Sequence, residues 1–463
     1  MTNVAKNVTK QKKSITEREI ALDVLMEVLE KDQFIHLVLR QALTKYQYLA
    51  KQERAFITRV SEGTLEYLLQ MDAVLNRFSK TPVKKMKPLV RTLLRMSVYQ
   101  LLYMDRVPAS AVCNEAVKLM EKRGFSGLKG FVNGVLRTVA REKETISFGD
   151  NLSIRYSMPQ WIVSMWETQY GREDTETMLA ALLKERPLAV RFLTGKASAE
   201  EIRQSLTSQN ISCEPSALSD DVWYLSGIDS LEQTEAFLKG YLQVQDTASS
   251  LVGVFAAPKE GDFVMDLCAA PGGKALHMAE LLHGSGHVEA RDVSEEKTVL
   301  IDSNISRTGY QNIETAVWDA RVFDASRKEM ADIVLADLPC SGLGIIGRKP
   351  DIKYRASREK ILQLQALQRE ILAASWQYVK PGGILVYSTC TISTEENEEN
   401  RAWFLEQFPF EPVDIRGMAK MALAEESLRD GYVQLKPGIH PSDGFFIAVM
   451  RRKKERSRNL GGR

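Results

Sequence analysis

No run in this chain approaches the ~18 consecutive apolar residues that a membrane helix needs, so membrane insertion is not expected. Cysteine is scarce as well: there are five, an odd number with no C-x-x-C pair, which argues against a disulfide framework. A reducing compartment and individual chemical roles suit them better. Of the five histidines, His283 and His287 are four apart, but Gly284-Ser285-Gly286 between them marks a loop, so no metal site is expected. The first residues include Lys6, Lys10, Lys12 and Lys13 but lack the apolar core and small-residue cleavage site of a secretory signal. A cytoplasmic location follows as the expectation. Apolar residues at 44% and charged residues at 26% are ordinary for a globular protein, and 463 residues suffice for about three domains.

Net charge is also nearly absent, at +2, but its distribution is uneven. Arg77, Lys80, Lys84, Lys85, Lys87, Arg91 and Arg95 follow one another with no acid between them, and Arg452, Lys453, Lys454, Arg456 and Arg458 crowd the C-terminus. Such clusters can neutralise phosphates. A solvated helix face and a free tail explain the same charges equally well.

Up to about Arg141 the apolar spacing is helical. Leu22, Leu25, Met26 and Leu29 form one stripe, Val90, Leu94, Val98 and Leu101 another, and Val132, Val135, Leu136 and Val139 a third. Breaks at Thr81-Pro82, Val107-Pro108 and Gly124 separate them as in a compact bundle. Arg95–Tyr103, Val107-Pro108, Asn114–Val117 and Lys129–Leu136 together resemble the NusB family of RNA-binding helical domains. The resemblance implies RNA docking, although Val98, Leu101, Val135 and Leu136 read first as core.

Between Asn151 and Gly240 helical and strand patterns mix: a helix after Pro159, a strand at Leu188–Leu193 and a helix at Ala199–Ser208, read as a small α+β linking subdomain. From Gln243 onward apolar strands alternate with amphipathic helices, which predicts a mostly parallel sheet covered on both faces. Phe263–Leu267, Ile333–Ala336 and Ile384–Tyr387 are three of its strands, with Lys380-Pro381-Gly382-Gly383 as the turn before the last. Leu364, Leu367, Ile371, Ala374 and Tyr378 outline a covering helix. Sheets of this kind bind ligands beyond the carboxyl ends of their strands.

Cys268, Ala269, Ala270, Pro271, Gly272, Gly273 and Lys274 stand at such an end, leading from a strand into a helix. Small residues there let a ligand approach free backbone N–H groups. The segment is neither a P-loop, since Cys268 and Ala275 occupy the positions of its first glycine and its Ser or Thr, nor a G-x-G-x-x-G dinucleotide turn. A nucleotide-like cofactor fits it. Asp292, 19 positions after Gly273, follows His287–Arg291 and suits ribose hydroxyls, though it also suits a helix start before Ser294-Glu295-Glu296. Asp319, after Ile313–Trp318, could accept from an adenine amino group or sit in a surface turn.

Two further cysteines end predicted strands: Cys340 in Asp337-Leu338-Pro339-Cys340 and Cys390 in Tyr387-Ser388-Thr389-Cys390. The first replaces the aromatic-ended Pro-Pro turn expected of enzymes that methylate exocyclic amines. Either thiol alone reads as a buried structural residue, but two in one cofactor-binding sheet point to chemistry at a ring carbon. Carbon 5 of cytosine is a poor nucleophile until a thiolate adds at carbon 6. One cysteine must then attack, and after methyl transfer a nearby base must remove the carbon-5 proton so that the sulfur can leave, a release the second cysteine can assist.

With these residues in view, the chain resembles the RNA cytosine-5 methyltransferases and, given the NusB-like region in front, the RsmB/Sun family that acts on small-subunit ribosomal RNA. The resemblance covers nearly the whole chain. It implies an S-adenosylmethionine-dependent enzyme that methylates carbon 5 of a cytosine in 16S ribosomal RNA, unassembled and single-stranded or flipped out at the target, working as a monomer without metal. It assigns the nucleophile to Cys390, product release to Cys340, and the cofactor to Cys268–Lys274, Asp292, Asp319 and Asp337, with Asp337 also available to the cytosine ring. The implied architecture is an all-α NusB-like bundle at 14–145, an α+β linking subdomain at 150–240, a Rossmann-like α/β methyltransferase domain at 241–453 and a basic tail at 454–463. The alternatives are the same chemistry on transfer RNA, or a non-catalytic RNA-binding ribosome-assembly factor.

Further matches are Gly347–Tyr354, expected at the RNA backbone with packing as the alternative, and His440–Phe446 near the C-terminus. Glu395-Glu396-Asn397-Glu398 also matches, but Ser393 with Glu396 reads as a helix capping box. Ala275, Leu338 and Leu193 depart from the family's usual threonine, alanine and asparagine, which leaves local contacts open and the reaction intact.

Overall fold

The computed structural model describes residues 15–420 and 426–454; the basic residues before Ile15 and the tail beyond Lys454 lie outside the described residues. Two compact units emerge, one made of the chain up to Leu183 with Arg348–Arg355, the other of Lys184–Gly347 with Ala356 onward.

The first unit is helical, and the three apolar stripes explain why. Leu22 and Leu25 from Glu17–Glu30, Val90, Leu94, Val98 and Leu101 from Pro88–Tyr103, and Val132, Val135, Leu136 and Val139 from Lys129–Glu142 are all buried in one core. Pro88 opens its helix at the first turn, where a missing N–H costs nothing. Polar groups order the core's edge: Tyr67 and Tyr103 stack with ring centroids 4.2 Å apart, and Arg95 pairs with Asp72 at 2.7 Å.

Arg348–Arg355 belongs to this unit, and its charged residues are used there for packing. The Asp351 carboxylate accepts from Ile35 N at 3.2 Å, capping a helix whose own N-cap residue, Phe34, has no capping side chain. Lys353 is buried and donates to the Glu66 carbonyl at 2.7 Å, Tyr354 donates to the Leu65 carbonyl at 2.9 Å, and Arg355 covers the Phe34 ring at 3.7 Å. The sequence reading sent this segment to the RNA backbone. For Lys353 that is corrected: its ammonium faces a helix terminus inside the unit, where no phosphate reaches it.

The second unit holds two sheets. In the smaller, β1 (Leu188–Phe192), β2 (Ser212–Pro215), β3 (Val222–Ser226) and β4 (Leu242–Val244) run in the order β2-β3-β1-β4, all antiparallel. Val190, Phe192 and Leu225 pack there on Ile202 and Leu206 of the Ala199–Thr207 helix, the expected α+β subdomain. Buried Arg191 is ion-paired with Glu280 and bonded to Gln245 at 2.8 Å.

The larger sheet contains β5 (Phe263–Asp266), β6 (His287–Asp292), β7 (Ile313–Val317), β8 (Ala331–Asp337), β9 (Val379–Thr389), β10 (Phe410–Pro412), β11 (Tyr432–Leu435) and β12 (Phe445–Arg452). Its order is β10-β12-β9-β8-β5-β6-β7, with β11 beside β12. β5 to β9 are parallel, and β12 returns antiparallel to β9. The chain leaves β5 outward through β6 and β7, then crosses back to β8 and β9, so order reverses between β5 and β8. Such a switch point leaves a crevice at the strands' carboxyl ends. One detail differs from expectation: Lys380–Gly383 lies within β9, as a bulge facing Asp332 between the Ala331–Val379 and Ile333–Ile384 pairs.

Candidate active site

The loops after β5 and β8 flank the switch point and carry most of the residues singled out from sequence. After β5, Cys268–Gly272 turns sharply into the Gly273–Leu281 helix; Gly272 supplies the turn at φ 102°, a conformation costly for any side chain. Asp292, ending β6, holds that turn directly: its carboxylate accepts from Ala270 N at 2.9 Å and from Val293 N at 2.8 Å, and pairs with Lys297 at 3.0 Å. A cavity of about 460 Å³ opens here, lined among others by Cys268, Asp292, Trp318, Asp319, Asp337, Cys340 and Cys390. That volume is in the usual range for small-molecule sites, ~300–1,000 Å³. A carboxylate beside a glycine turn, an indole wall and the apolar Leu367 and Ile371 fit a nucleoside-bearing cofactor.

Individual acids differ in their freedom. Asp319 is engaged by Arg321 at 2.6 Å, which together with the Arg321 backbone N–H holds its carboxyl below the ordinary range; it lines the cavity, and its bond to a residue two positions on is that of a surface turn. Asp337 ends β8, accepts from Ser388 Oγ at 2.8 Å and is ion-paired with Lys274 at 2.6 Å. Burial lowers the Lys274 pKa, but Asp337, Asp266 and Cys390 together outweigh it and the net shift is upward. Asp266, fully buried on β5 below them, is pushed up to about 7 by burial and the Asp337 charge, against the pull of Lys274.

The two strand-end cysteines converge. Cys340 Sγ and Cys390 Sγ are 3.2 Å apart, both partly accessible and both on the cavity. The bond to Cys390, then burial, hold the Cys340 thiol well above its ordinary pKa. Cys268, also on the cavity, is held up by burial and by three nearby acids, Asp266, Asp292 and Asp337, so it remains a thiol at neutral pH.

Residues around the two turns fix this pair. Gly344 N donates to the Cys390 carbonyl at 3.1 Å and Gly444 N to the Gly344 carbonyl at 2.9 Å; a Cβ on Gly344 would meet Gly444 O at 2.0 Å and Cys390 O at 2.8 Å. The His440–Phe446 motif thus braces the Cys390 turn. Ser341 and Thr391, the residues after the two cysteines, are joined by a 2.7 Å hydroxyl contact. The expected capping box is half formed: Glu396 N reaches Ser393 Oγ at 3.5 Å, but the buried Glu396 carboxylate accepts from Ser341 N at 2.8 Å instead of returning to Ser393, and the following helix is Glu398–Gln407, with Glu398 and Glu399 as its first-turn acids. Proximity of Ser341 to Cys340 was the available signal for its role; Glu396 offered none beyond its place in the motif.

In the first unit a second cleft, of about 690 Å³, is lined by Lys80, Lys84, Arg91 and Arg95 from the basic cluster. Arg91 pairs with Glu30 at 2.5 Å and Arg95 with Asp72, leaving Lys80 and Lys84 as the cations without a described partner. Arg452 of the C-terminal cluster is structural, bonded to the Val379 carbonyl at 2.6 Å and paired with Glu329.

Comparison with known proteins bears on both units. The profile of the 16S rRNA methyltransferase RsmB/F family matches residues 254–451, that of the NusB family residues 15–141, and that of the RsmF/B-like ferredoxin-like domain residues 158–228. A probable ribosomal RNA small subunit methyltransferase B from Bacillus subtilis is 35% identical, covering 95% of this chain and 100% of that protein. The ribosomal RNA small subunit methyltransferase B of Vibrio vulnificus is 30% identical over 94% of this chain and 98% of its own. Among solved structures, PH0851 superposes with a TM-score of 0.80 at 26% identity, covering 95% of this chain and 99% of that one. A methyltransferase homologue from Pyrococcus horikoshii gives 0.56 at 28% identity, covering 65% and 98%.

Proposed function

Because the chain belongs to the 16S rRNA methyltransferase RsmB/F family, we propose that it methylates carbon 5 of a cytosine in 16S ribosomal RNA through a covalent adduct with Cys390, using S-adenosylmethionine. The observation carrying this reading is the 3.2 Å approach of Cys340 and Cys390 on the cavity at the switch point. Methylation of an exocyclic amine or a ribose hydroxyl has no use for two converging thiols; activation of a pyrimidine ring carbon does.

S-adenosylmethionine, when bound, supplies an electrophilic methyl group on a sulfonium. The turn at Cys268–Lys274 with Asp292 and Asp319 would hold it, Asp292 by keeping the turn closed. Cys390, its proton given up to solvent, attacks carbon 6 of the base as a thiolate, and carbon 5, made electron-rich, would take the methyl group as the methyl–sulfur bond breaks and its electron pair stays with the donor's sulfur. The Asp337–Lys274 pair orients polar groups beside the ring, and the positive Lys274 favours a thiolate nearby. For release, a base must take the carbon-5 proton; Cys340 serves once its own proton has passed to solvent, the C–H electron pair reforms the ring double bond, and the bond from carbon 6 to Cys390 breaks, returning that sulfur as a thiolate. The target must be unpaired or flipped out, since neither thiol can reach carbon 6 inside a stack. The NusB-like unit supports ribosomal RNA over transfer RNA, and its Lys80–Lys84 cleft offers a place for phosphates.

The test is incubation of the full chain with deproteinised 16S ribosomal RNA and methyl-labelled S-adenosylmethionine, followed by nucleoside analysis. Label in 5-methylcytidine is expected. Label in another nucleoside would overturn the ring-carbon chemistry, equal labelling of transfer RNA would overturn the substrate, and no label would favour an assembly factor.

A further inference from the structure

The Glu396 carboxylate is buried and accepts from three donors, the backbone N–H of Ser341 at 2.8 Å, the Ser341 hydroxyl and the Gln368 side-chain amide at 3.1 Å, with the Glu395 carboxylate as its nearby like charge. Ser341 follows Cys340. The same Gln368 nitrogen donates to the carbonyl of Pro339, the residue before Cys340, at 2.9 Å. Cys340 is therefore gripped on both sides by one carboxylate–amide pair. The Ser341 hydroxyl, its proton committed to Glu396, accepts from Thr391 Oγ1 at 2.7 Å, and Thr391 follows Cys390. Glu396 is itself anchored, its carbonyl accepting from Tyr387 Oη and from Asn400 Nδ2 at 3.3 Å.

We propose that Glu396 is a positioning residue: through Ser341 and Thr391 it locks the Cys340 turn against the Cys390 turn, and its buried charge keeps Cys340 the thiol of the pair. The proposal rests on the division of labour between the cysteines given above and deepens it. An ionised carboxylate satisfies the three donors as they stand; a protonated acid or an amide would need the Ser341 hydroxyl to reverse, accepting from residue 396 and donating to Thr391. Burial raises the Glu396 pKa, while the bonds from Ser341 and Gln368 pull the other way and favour the charged form. A fixed negative charge behind Cys340 opposes loss of a proton there, and Glu396 is among the groups that raise the Cys340 pKa. On the other flank, the Lys274 ammonium is near enough to Cys390 for the two to interact. The pair is thus polarised from both ends, with Cys340 donating to a Cys390 thiolate.

The test is alkylation of the full-length protein by iodoacetamide, with Cys340 and Cys390 followed as separate peptides by mass spectrometry across neutral to mildly alkaline pH. In the unaltered protein Cys390 should react about tenfold or more faster than Cys340, a difference of about one pKa unit. Glu396→Gln should reduce that ratio about fivefold or more, mainly by speeding Cys340, and shift the Cys340 profile to lower pH; Glu396→Asp should restore part of it. A role in packing alone would change thermal stability without moving that profile. If Glu396→Gln fails to fold, Ser341→Ala keeps the carboxylate and cuts the hydroxyl bridge between the two turns; it should lower the ratio by loosening the Cys340–Cys390 contact, without the charge-driven shift of the Cys340 profile. An unchanged ratio in a folded variant overturns the proposal. Labelling needs neither RNA nor methyl donor, so its failure leaves the methylation reading intact, and absence of 5-methylcytidine would leave the labelling result intact.

Discussion

Cys340 Sγ and Cys390 Sγ approach to 3.2 Å although 50 residues separate them in the chain. A disulfide needs ~2.0 Å, so closing the gap takes a shift of about an ångström. Diamide, which takes up two electrons and two protons from a thiol pair, should link them and abolish methyl transfer until dithiothreitol is added. Peptide mapping checks this; a linkage between other cysteines, or none, would contradict the geometry.

Asp292 and Asp319 should contribute unequally to cofactor binding. Asp292→Ala removes the acceptor of Ala270 N and leaves that donor without its bond, a loss of ~1.5–3 kcal/mol for a charged acceptor, or about tenfold to a hundredfold in dissociation constant. Asp319 is engaged by Arg321, so Asp319→Ala should weaken binding less. Calorimetric titration with S-adenosylmethionine measures both, and a larger effect at Asp319 would reverse the assignment.

RNA binding by the helical unit should be salt-sensitive through Lys80 and Lys84, which line its basic cleft. A double change to Glu should weaken binding of 16S ribosomal RNA and flatten the plot of log affinity against log salt by about one for each lost phosphate contact. An unchanged slope would take the cleft out of the RNA path.

Lys353 gives the helical unit a specific pH dependence. Burial lowers its pKa from 10.5 to about 7, with Glu66 opposing. In the unfolded chain the ordinary value returns, so between these pH values the unfolded state binds more protons and stability rises with pH. Below about 7 both states are protonated and the full penalty of a buried ammonium applies. Lys353→Met removes this contribution, so its stability relative to the unaltered protein should be greatest at about pH 6 and decline toward about pH 10. Urea unfolding at the two pH values checks it; a constant difference would contradict a depressed lysine.

The sequence carried the local features well and the long-range ones poorly. Apolar stripes such as Val90, Leu94, Val98 and Leu101 identified buried helix faces because helical period and burial are properties of one segment. Strand ends at Asp337 and Thr389 were legible for the same reason, and with them the neighbourhood of both cysteines. The Glu396 backbone is legible locally, its N–H reaching Ser393, but its carboxylate is not, because its partner, Ser341, lies 55 residues away. The basic segment Gly347–Tyr354 reads as RNA-facing, yet the acceptor of Lys353 within it is the carbonyl of Glu66, 287 residues distant. Lys380–Gly383 had turn chemistry and became a bulge because Ala331 and Ile333 on β8 hold the residues flanking it in the sheet.

The division of labour between the cysteines is tested most directly by trapping. Cys340→Ala, incubated with 16S ribosomal RNA and S-adenosylmethionine, should accumulate a complex that survives denaturing electrophoresis, because attack by Cys390 proceeds while release fails. Cys390→Ala should form no such complex. An adduct in Cys390→Ala and none in Cys340→Ala would exchange the two roles, and no adduct in either would contradict covalent catalysis.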